Sequence, residues 1–295
     1  MTTRIAVARP PTRTAAKSAW RPPAWLRRTA SAAAWMLTSL LLFGGLWELA
    51  WAAGCADPLL LPPPHVFLAD FAGQARFFDS STIGQAQASP FIAVTSTILA
   101  TLIRVLSGLG LGFVASLVTG ILITRFGLIR KLVLPTLTLL APISPMAWLP
   151  VAIFLFGIGN RPAIFMVFIG VYFVMTLATI TEINGVSTTY LNVARTLGAT
   201  PRQILFGVTL PAILPGRLHT LRMNLFAACM VVLIAEAVGV GSGLGQVVVL
   251  ARNTFNASLV LFTMAIIGIS GYLLDLLFRQ LQKRALWWQA AGKGA

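Results

Sequence analysis

Long apolar blocks alternate along this chain with short polar stretches rich in Arg, Pro and Gly. The blocks fall at 31–53, 96–124, 132–157, 162–182, 212–238 and 258–278. A bilayer core about 30 Å thick is crossed by about 20 helical residues. The pattern therefore predicts six membrane-crossing helices in an all-α polytopic bundle. In the second block Gly108, Gly112, Ser116 and Gly120 recur at every fourth position. That period sets small residues in a ridge on one face, where another helix can approach closely. The third block carries Pro135, Pro142, Pro145 and Pro150. Proline withholds a donor and crowds the preceding turn, so this span is expected to be kinked or locally unwound. Irregular backbone at membrane depth is tolerated where protein or a water-lined cavity receives it.

The polar stretches have distinct characters. Residues 1–30 hold seven basic residues and no acidic ones, without apolar periodicity, and read as a disordered basic tail. Trp47 and Trp51 suit an interfacial belt at the far end of the first span. Residues 54–93 form the longest polar interval after the tail, with a segment, Val66 to Phe78, that fits an amphipathic interfacial helix. Residues 94–285 make up the core domain, and 286–295 a short final tail.

One interruption is capped with care: STTYLNVARTLGATPRQILFGVTLP, Ser187 to Pro211. Ser187 or Thr188 can cap a first helix on which Leu191, Ala194 and Leu197 share a face. Gly198 supplies a left-handed stop. Thr200, Pro201 and Gln203 then give a second start: a cap, a first-turn proline and a capping-box partner. Ile204, Leu205 and Val208 form its apolar face, and Pro211 opens the next span. Two readings stand for this stretch, a linker covering helix ends or a stiff knob for a partner.

Composition fits the apolar pattern. Of 295 residues 57% are hydrophobic and 10% charged, against about 25% charged in soluble domains. The net charge of +15 raises nucleic acid as a partner, but the cations fall in short runs between apolar blocks, which is the positive-inside pattern. With the tail inside, eighteen basic residues lie on the inner side and Arg76, Arg161 and Arg252 on the outer, with Arg104 within the second span. Six crossings with both termini cytoplasmic are the arrangement this split favours, and no nucleic-acid role is expected.

Catalytic and metal chemistry find little support. Cys55, Cys229, His65 and His219 lack ligand-like spacing. Ala52-Ala53-Gly54-Cys55 faintly looks like a lipoprotein cleavage site, but its apolar run is long and further spans come after it, so an uncleaved first span is expected. None of the four lysines sits in a phosphate-binding loop. Gly110-x-Gly112-x-x-Ala115 formally fits a dinucleotide fingerprint but lies within a span, where packing explains it.

Charges near the membrane are the better leads. Arg104, in the outer part of its span, either snorkels to the interface or adds positive potential to an anion path, the first being favoured. Glu236, before the series Gly239, Gly241, Gly243 and Gly245, is a candidate for the substrate pathway or for a structural hydrogen-bonding role, the second being favoured because a carboxylate repels an anion. Glu182 and Asp275 can pair with Arg195 or Arg279. Pro142, Ser144 and Pro145 either form an unwound gate or a kink that improves packing. Met146 and Trp148 would line or close the gate.

Asn192-Val193-Ala194, Gly198 six positions after Asn192, and Val208-Thr209-Leu210-Pro211 together resemble the EAA signature of permease subunits of bacterial ABC importers. The resemblance extends over roughly 60–285 and includes PISPMAWLPVAIFLFGIGN (Pro142 to Asn160) and AEAVGVGSGLG (Ala235 to Gly245). It is closest to the branch importing nitrate, sulfonates and taurine. Bicarbonate, pyrimidine and flavin-precursor permeases remain as alternatives. The resemblance implies a type I importer permease fold in a bacterial inner membrane and a homodimer. Residues 185–211 would then be a coupling loop docking on a cytoplasmic ATPase that binds ATP and Mg. A periplasmic binding protein would deliver substrate, and the permease itself would be no enzyme. Asn192, Val193, Ala194, Gly198, Thr200, Pro201, Leu210 and Pro211 are the coupling residues so implied. Asn192 stands where the family usually has Glu, and Val193 where it has Ala, so any polar contact made by Asn192 is uncharged. A secondary transporter working alone would need an inverted repeat and coupling carboxylates, and a membrane enzyme would need clustered His or acids; neither is evident.

Overall fold

The computed structural model describes residues 24–54, 61–78 and 90–287, with side chains from Ala34 onward. The tail expected over 1–30 falls outside these residues up to position 23, and the final tail does so from 288. Helix α1, Ala24–Ala52, begins before the first apolar block and holds a crossing-length stretch at Ala34–Ala52. It forms a compact unit separate from the rest, which starts at Asp57.

In the second unit the expected interfacial helix is three short turns: α2 (Pro64–Ala69), α3 (Phe71–Ala75) and a 3-10 turn at Arg76–Phe78. Asp70 causes the break between the first two. Its carboxylate accepts the Gly73 N–H at 3.1 Å, a local bond that competes with continued helix. Phe78 is buried, meets Phe262 edge to face at 5.9 Å, and its carbonyl accepts the Thr97 hydroxyl at 2.8 Å.

The frame of the bundle is the pair α4 (Pro90–Arg125) and α7 (Asn160–Asn184). A Cβ on Gly108 would stand 2.5 Å from Val167 Cβ, one on Gly112 3.4 Å from Val171, and one on Gly120 2.6 Å from a Thr179 methyl. Each partner lies 59 positions further along, so the two helices run parallel in fixed register. The fourfold ridge read in the sequence is their contact. Gly110, by contrast, meets open space and has packing freedom.

Two parallel helices oblige the chain between them to return across the bundle. It does so as α5 (Gly127–Leu140) and α6 (Leu149–Phe156), joined through a break and a 3-10 turn at Pro145–Trp148, with the two parts bent by 102°. The third apolar block is thus one crossing with an unwound middle, as its prolines predicted.

Helix α10, Leu210–Gly239, runs antiparallel to α4 and α7, and α12, Ala257–Ala285, returns beside it; α11, Leu244–Asn253, lies between. Asp275 of α12 accepts Arg222 Nε at 2.5 Å and Arg279 Nη2 at 2.7 Å. Among the described residues five helices are long and apolar enough to cross a membrane, six when the bent pair is taken as one span, and there is no strand.

At the Asn160 end of the bundle the frame is locked by Arg104. Its guanidinium does not snorkel: it is 4% exposed, because partners for every donor direction are close by. It reaches Glu236 Oε1 at 2.6 Å, Asn160 Oδ1 from Nε and Nη2, and both the carbonyl and the hydroxyl of Ser242. The other Glu236 oxygen accepts the Gly245 N–H at 3.0 Å, and Leu244 N–H donates to Thr101. A Cβ on Gly243 or Gly245 would run into Glu236 or the Leu233 carbonyl. The glycine series therefore folds over a carboxylate, and Glu236 has the structural role expected of it.

Gly108→Ala is expected to cost about 1–3 kcal/mol through overpacking against α7, and Gly110→Ala to cost nothing, in thermal denaturation of the detergent-solubilised protein. Arg104→Met strands the Glu236 carboxylate and should cost about 3–5 kcal/mol, part of which Glu236→Leu in the same chain recovers.

Candidate coupling loop and intramembrane cluster

The capped stretch folds from its own signals. Ser187 accepts the Thr189 N–H at 3.3 Å and opens α8, Thr188–Thr196. The helix stops at Gly198, which takes φ +76°. There the Gly198 N–H donates to Arg195 O at 2.9 Å and the Ala199 N–H to Ala194 O at 3.0 Å, closing the last turn. Nothing lies within 4 Å of a Cβ built at Gly198, so the demand there is conformational rather than steric. Thr200 and Gln203 complete the capping box, with Pro201 in the first turn of α9, Pro201–Ile204.

Beyond the capping box the fold departs from expectation, because the second short helix does not end before the next span. It passes through a π turn, Leu205–Thr209, directly into α10, so that Pro201–Gly239 is one helical rod of 39 residues. Pro211 is the cause: its ring excludes the carbonyl four residues back and it offers no N–H, and the wider π turn absorbs both. Leu210 and Pro211 thus sit within a rod, at the junction of loop and span.

Helix α8 packs against α9 and the π turn. Leu191, Ala194, Ile204, Leu205 and Val208 are half-buried in that contact, whereas Leu197 is 82% exposed, because the helix has already ended there. Asn192, Val193, Thr200 and Pro201 face outward beside exposed Tyr190 and Phe206. Asn192 Oδ1 receives only a long 3.4 Å contact from Arg195. A cavity of about 430 Å³ lies behind α8, lined by Glu182, Ser187, Tyr190 and Gly216 among others.

The proline-rich break places Pro142, Ser144 and Met146 on the exposed side and leaves Pro145 and Trp148 half-buried. Pro145 sits 3.1 Å from a Cβ built on Gly170. Trp148 lies over Phe173 at 6.4 Å, with its indole N–H buried and without an acceptor. Arg104 and Glu236 are brought together with each other, but at the Asn160 end and inside the protein.

One charged group was misplaced by sequence reasoning. Arg217, counted among loop cations, is fully buried between three helices. Its Nη1 donates to Met175 O and its Nη2 to Ser116 Oγ, both at 2.7 Å, and its guanidinium carbon stands 5.1 Å from the Phe113 ring centre. Glu182 turns towards α10 rather than Arg195: Thr220 donates to its Oε1 at 3.4 Å, and its other oxygen is buried without a partner. Asp275 takes Arg279, as expected, and Arg222 in addition. The available signal was position: Arg217 lies seven residues beyond Leu210, within a predicted span, and intramembrane charge is functional by default. Among the described residues no cluster of His, Cys, Asp or Glu could hold a metal.

Known proteins resemble this arrangement. A putative ABC transporter permease of Methanocaldococcus jannaschii is 35% identical over 187 residues, covering 63% of this chain and 70% of that protein. The taurine transport system permease protein TauC of Escherichia coli is 30% identical over 235 residues, covering 79% and 81%. Further relatives are named for aliphatic sulfonates, bicarbonate and nitrate. Among solved structures, the MetNI methionine ABC transporter in an inward-facing conformation aligns with a TM-score of 0.58 at 23% identity, over 67% of this chain and 99% of that one, which shows a shared fold. Residues 108–286, holding every helix from the middle of α4 to α12, match the binding-protein-dependent transport system inner membrane component. This chain belongs to that family and is the membrane-embedded permease of an ABC importer.

Proposed function

We propose that this permease imports a small anion of the sulfonate, taurine or nitrate class, and that the α8 loop transmits ATP-driven motion to the bundle. The observation that carries the second part is continuity. The loop is stopped at Gly198 and restarted by a capping box, and the restarted helix is the same rod that crosses the bundle. A force applied to α8 therefore reaches Arg217 and Glu236 along one continuous helix, through the π turn and past Pro215.

In this reading the exposed edge around Asn192, Val193, Tyr190 and Leu197 docks on a cytoplasmic ATPase that holds ATP and Mg. Asn192, uncharged where the family usually has Glu, contributes a neutral hydrogen bond there. Both termini face the cytoplasm, as the distribution of basic residues favours even with Arg217 and Arg222 set aside as bundle residues, which leaves sixteen inner against three outer. A periplasmic binding protein delivers substrate at the Asn160 end, and two copies of the chain enclose the pathway. The break at Pro142–Ser144, with Pro145, Met146 and Trp148, is the gate between them: an unwound segment exposes peptide groups that a passing polar solute can meet. Arg104 and Glu236 hold the frame around that gate. The names of the relatives support the substrate class, including taurine for a protein 30% identical.

Reconstitution in liposomes with the ATPase and binding protein encoded beside it tests this assignment. Loaded binding protein should raise ATP hydrolysis, and uptake should stop without ATP; uptake by the chain alone on an ion gradient would overturn it. In the same system Gly198→Pro, which cannot adopt φ +76°, should abolish uptake while membrane insertion stays normal. Normal uptake by that variant would rule out transmission through a stiff bend.

A further inference from the structure

The bundle contains two buried arginines, and they are satisfied differently. Arg104 makes five hydrogen bonds, one to a carboxylate, and none of its nitrogens is without a partner. Arg217 is more deeply buried, at 0% exposure, yet is bonded by no carboxylate, and its Nε has no acceptor. Its counter-charge, Glu182, acts on it only through space and not by a hydrogen bond, and a buried cation held so loosely is expensive. A purely structural strut would be expected to saturate its donors as Arg104 does.

Beside Arg217 lies a cavity of about 280 Å³, lined by Phe113, Leu117, Phe206, Leu210, Leu214 and their neighbours on α10. It is close in size to the smallest small-molecule sites, at about 300 Å³. Its walls are aliphatic and aromatic, and Arg217 is the one charged group on them. Glu182 lines a different cavity, takes one 3.4 Å hydrogen bond from Thr220, and reaches Arg217 by charge alone.

We propose that Arg217 and this cavity form a binding site for a monoanion carrying a short apolar body. A guanidinium offers a planar fork to two oxygens of a sulfonate or carboxylate, Arg217 Nε is still without an acceptor, and the apolar walls take the body. A zwitterion finds no acceptor for its ammonium group there, and nitrate or bicarbonate has no body to fill the space. This narrows the substrate class of the import reading, on which it rests, towards unsubstituted alkanesulfonates. A membrane amphiphile with an anionic head has the same chemistry and is the second source.

The test needs neither ATP nor the binding protein, so it can fail independently of the import reading. In the full chain carrying Cys55→Ser, Cys229→Ser and Leu214→Cys, held in phosphatidylcholine nanodiscs, the introduced thiol reports on the cavity. It should react about tenfold faster with a sulfonatoethyl than with an aminoethyl methanethiosulfonate, the local enrichment expected of a cation in a low-dielectric site. Arg217→Gln should remove that preference and Arg217→Lys should keep part of it. Equal rates with Arg217 present, a preference that survives Arg217→Gln, or a thiol inert to both reagents would each overturn the site. Butanesulfonate should protect the thiol where nitrate does not. Protection by added phosphatidylglycerol instead would support the site and assign its occupant to the membrane, and protection by none of these would overturn it.

Discussion

The close approach of α4 to α7 is the contact on which the other features depend. Glycines at 108, 112 and 120 let two backbones meet with side chains from one helix only, and they fix the two helices parallel. A parallel pair demands a return crossing, and the return crossing must bend because proline has removed its middle. The ridge has one member that is not glycine. Ser116 sits at the position facing Arg217 and gives it a hydroxyl, so the same fourfold repeat that packs the frame also seats the intramembrane cation.

Much of this was legible along the chain because its causes are local. Hydrophobic run length marked the crossings, proline marked the break, and Ser187, Gly198, Thr200 and Gln203 marked the bend by rules that act within four residues. The contacts that escaped join distant positions. Arg104 meets partners 56 to 138 residues away, and nothing near it in sequence announces that a carboxylate and two carbonyl or hydroxyl groups will converge there. Arg217 and Arg222 were grouped with loop cations although the block starting at 212 already held them, because their partners lie 42 to 101 residues away on other helices. Glu182 was given the wrong partner for the same reason.

The two ends of the bundle are built on different terms. At the Asn160 end, a charge pair, an amide, a hydroxyl and backbone groups are saturated, which favours one arrangement. Nearer the α8 loop, Arg217 Nε and one Glu182 oxygen lack partners, and cavities of about 280 and 430 Å³ flank the rod. A stiff rod anchored firmly at one end and loosely at the other is suited to pivoting about its anchored end. That is the motion an importer requires if the loop end is driven and the far end must keep its shape for a delivering protein.

The break in the third crossing bears on how the protein is made. Pro142, Ile143, Ser144 and Met146 are exposed in the single chain at a place where helical hydrogen bonding has lapsed. Hydrocarbon cannot solvate such backbone. A newly inserted chain standing alone in the bilayer therefore presents a defect that only protein or water can cover. The cost of the break therefore falls on whatever surface packs against it rather than on the two helices that flank it.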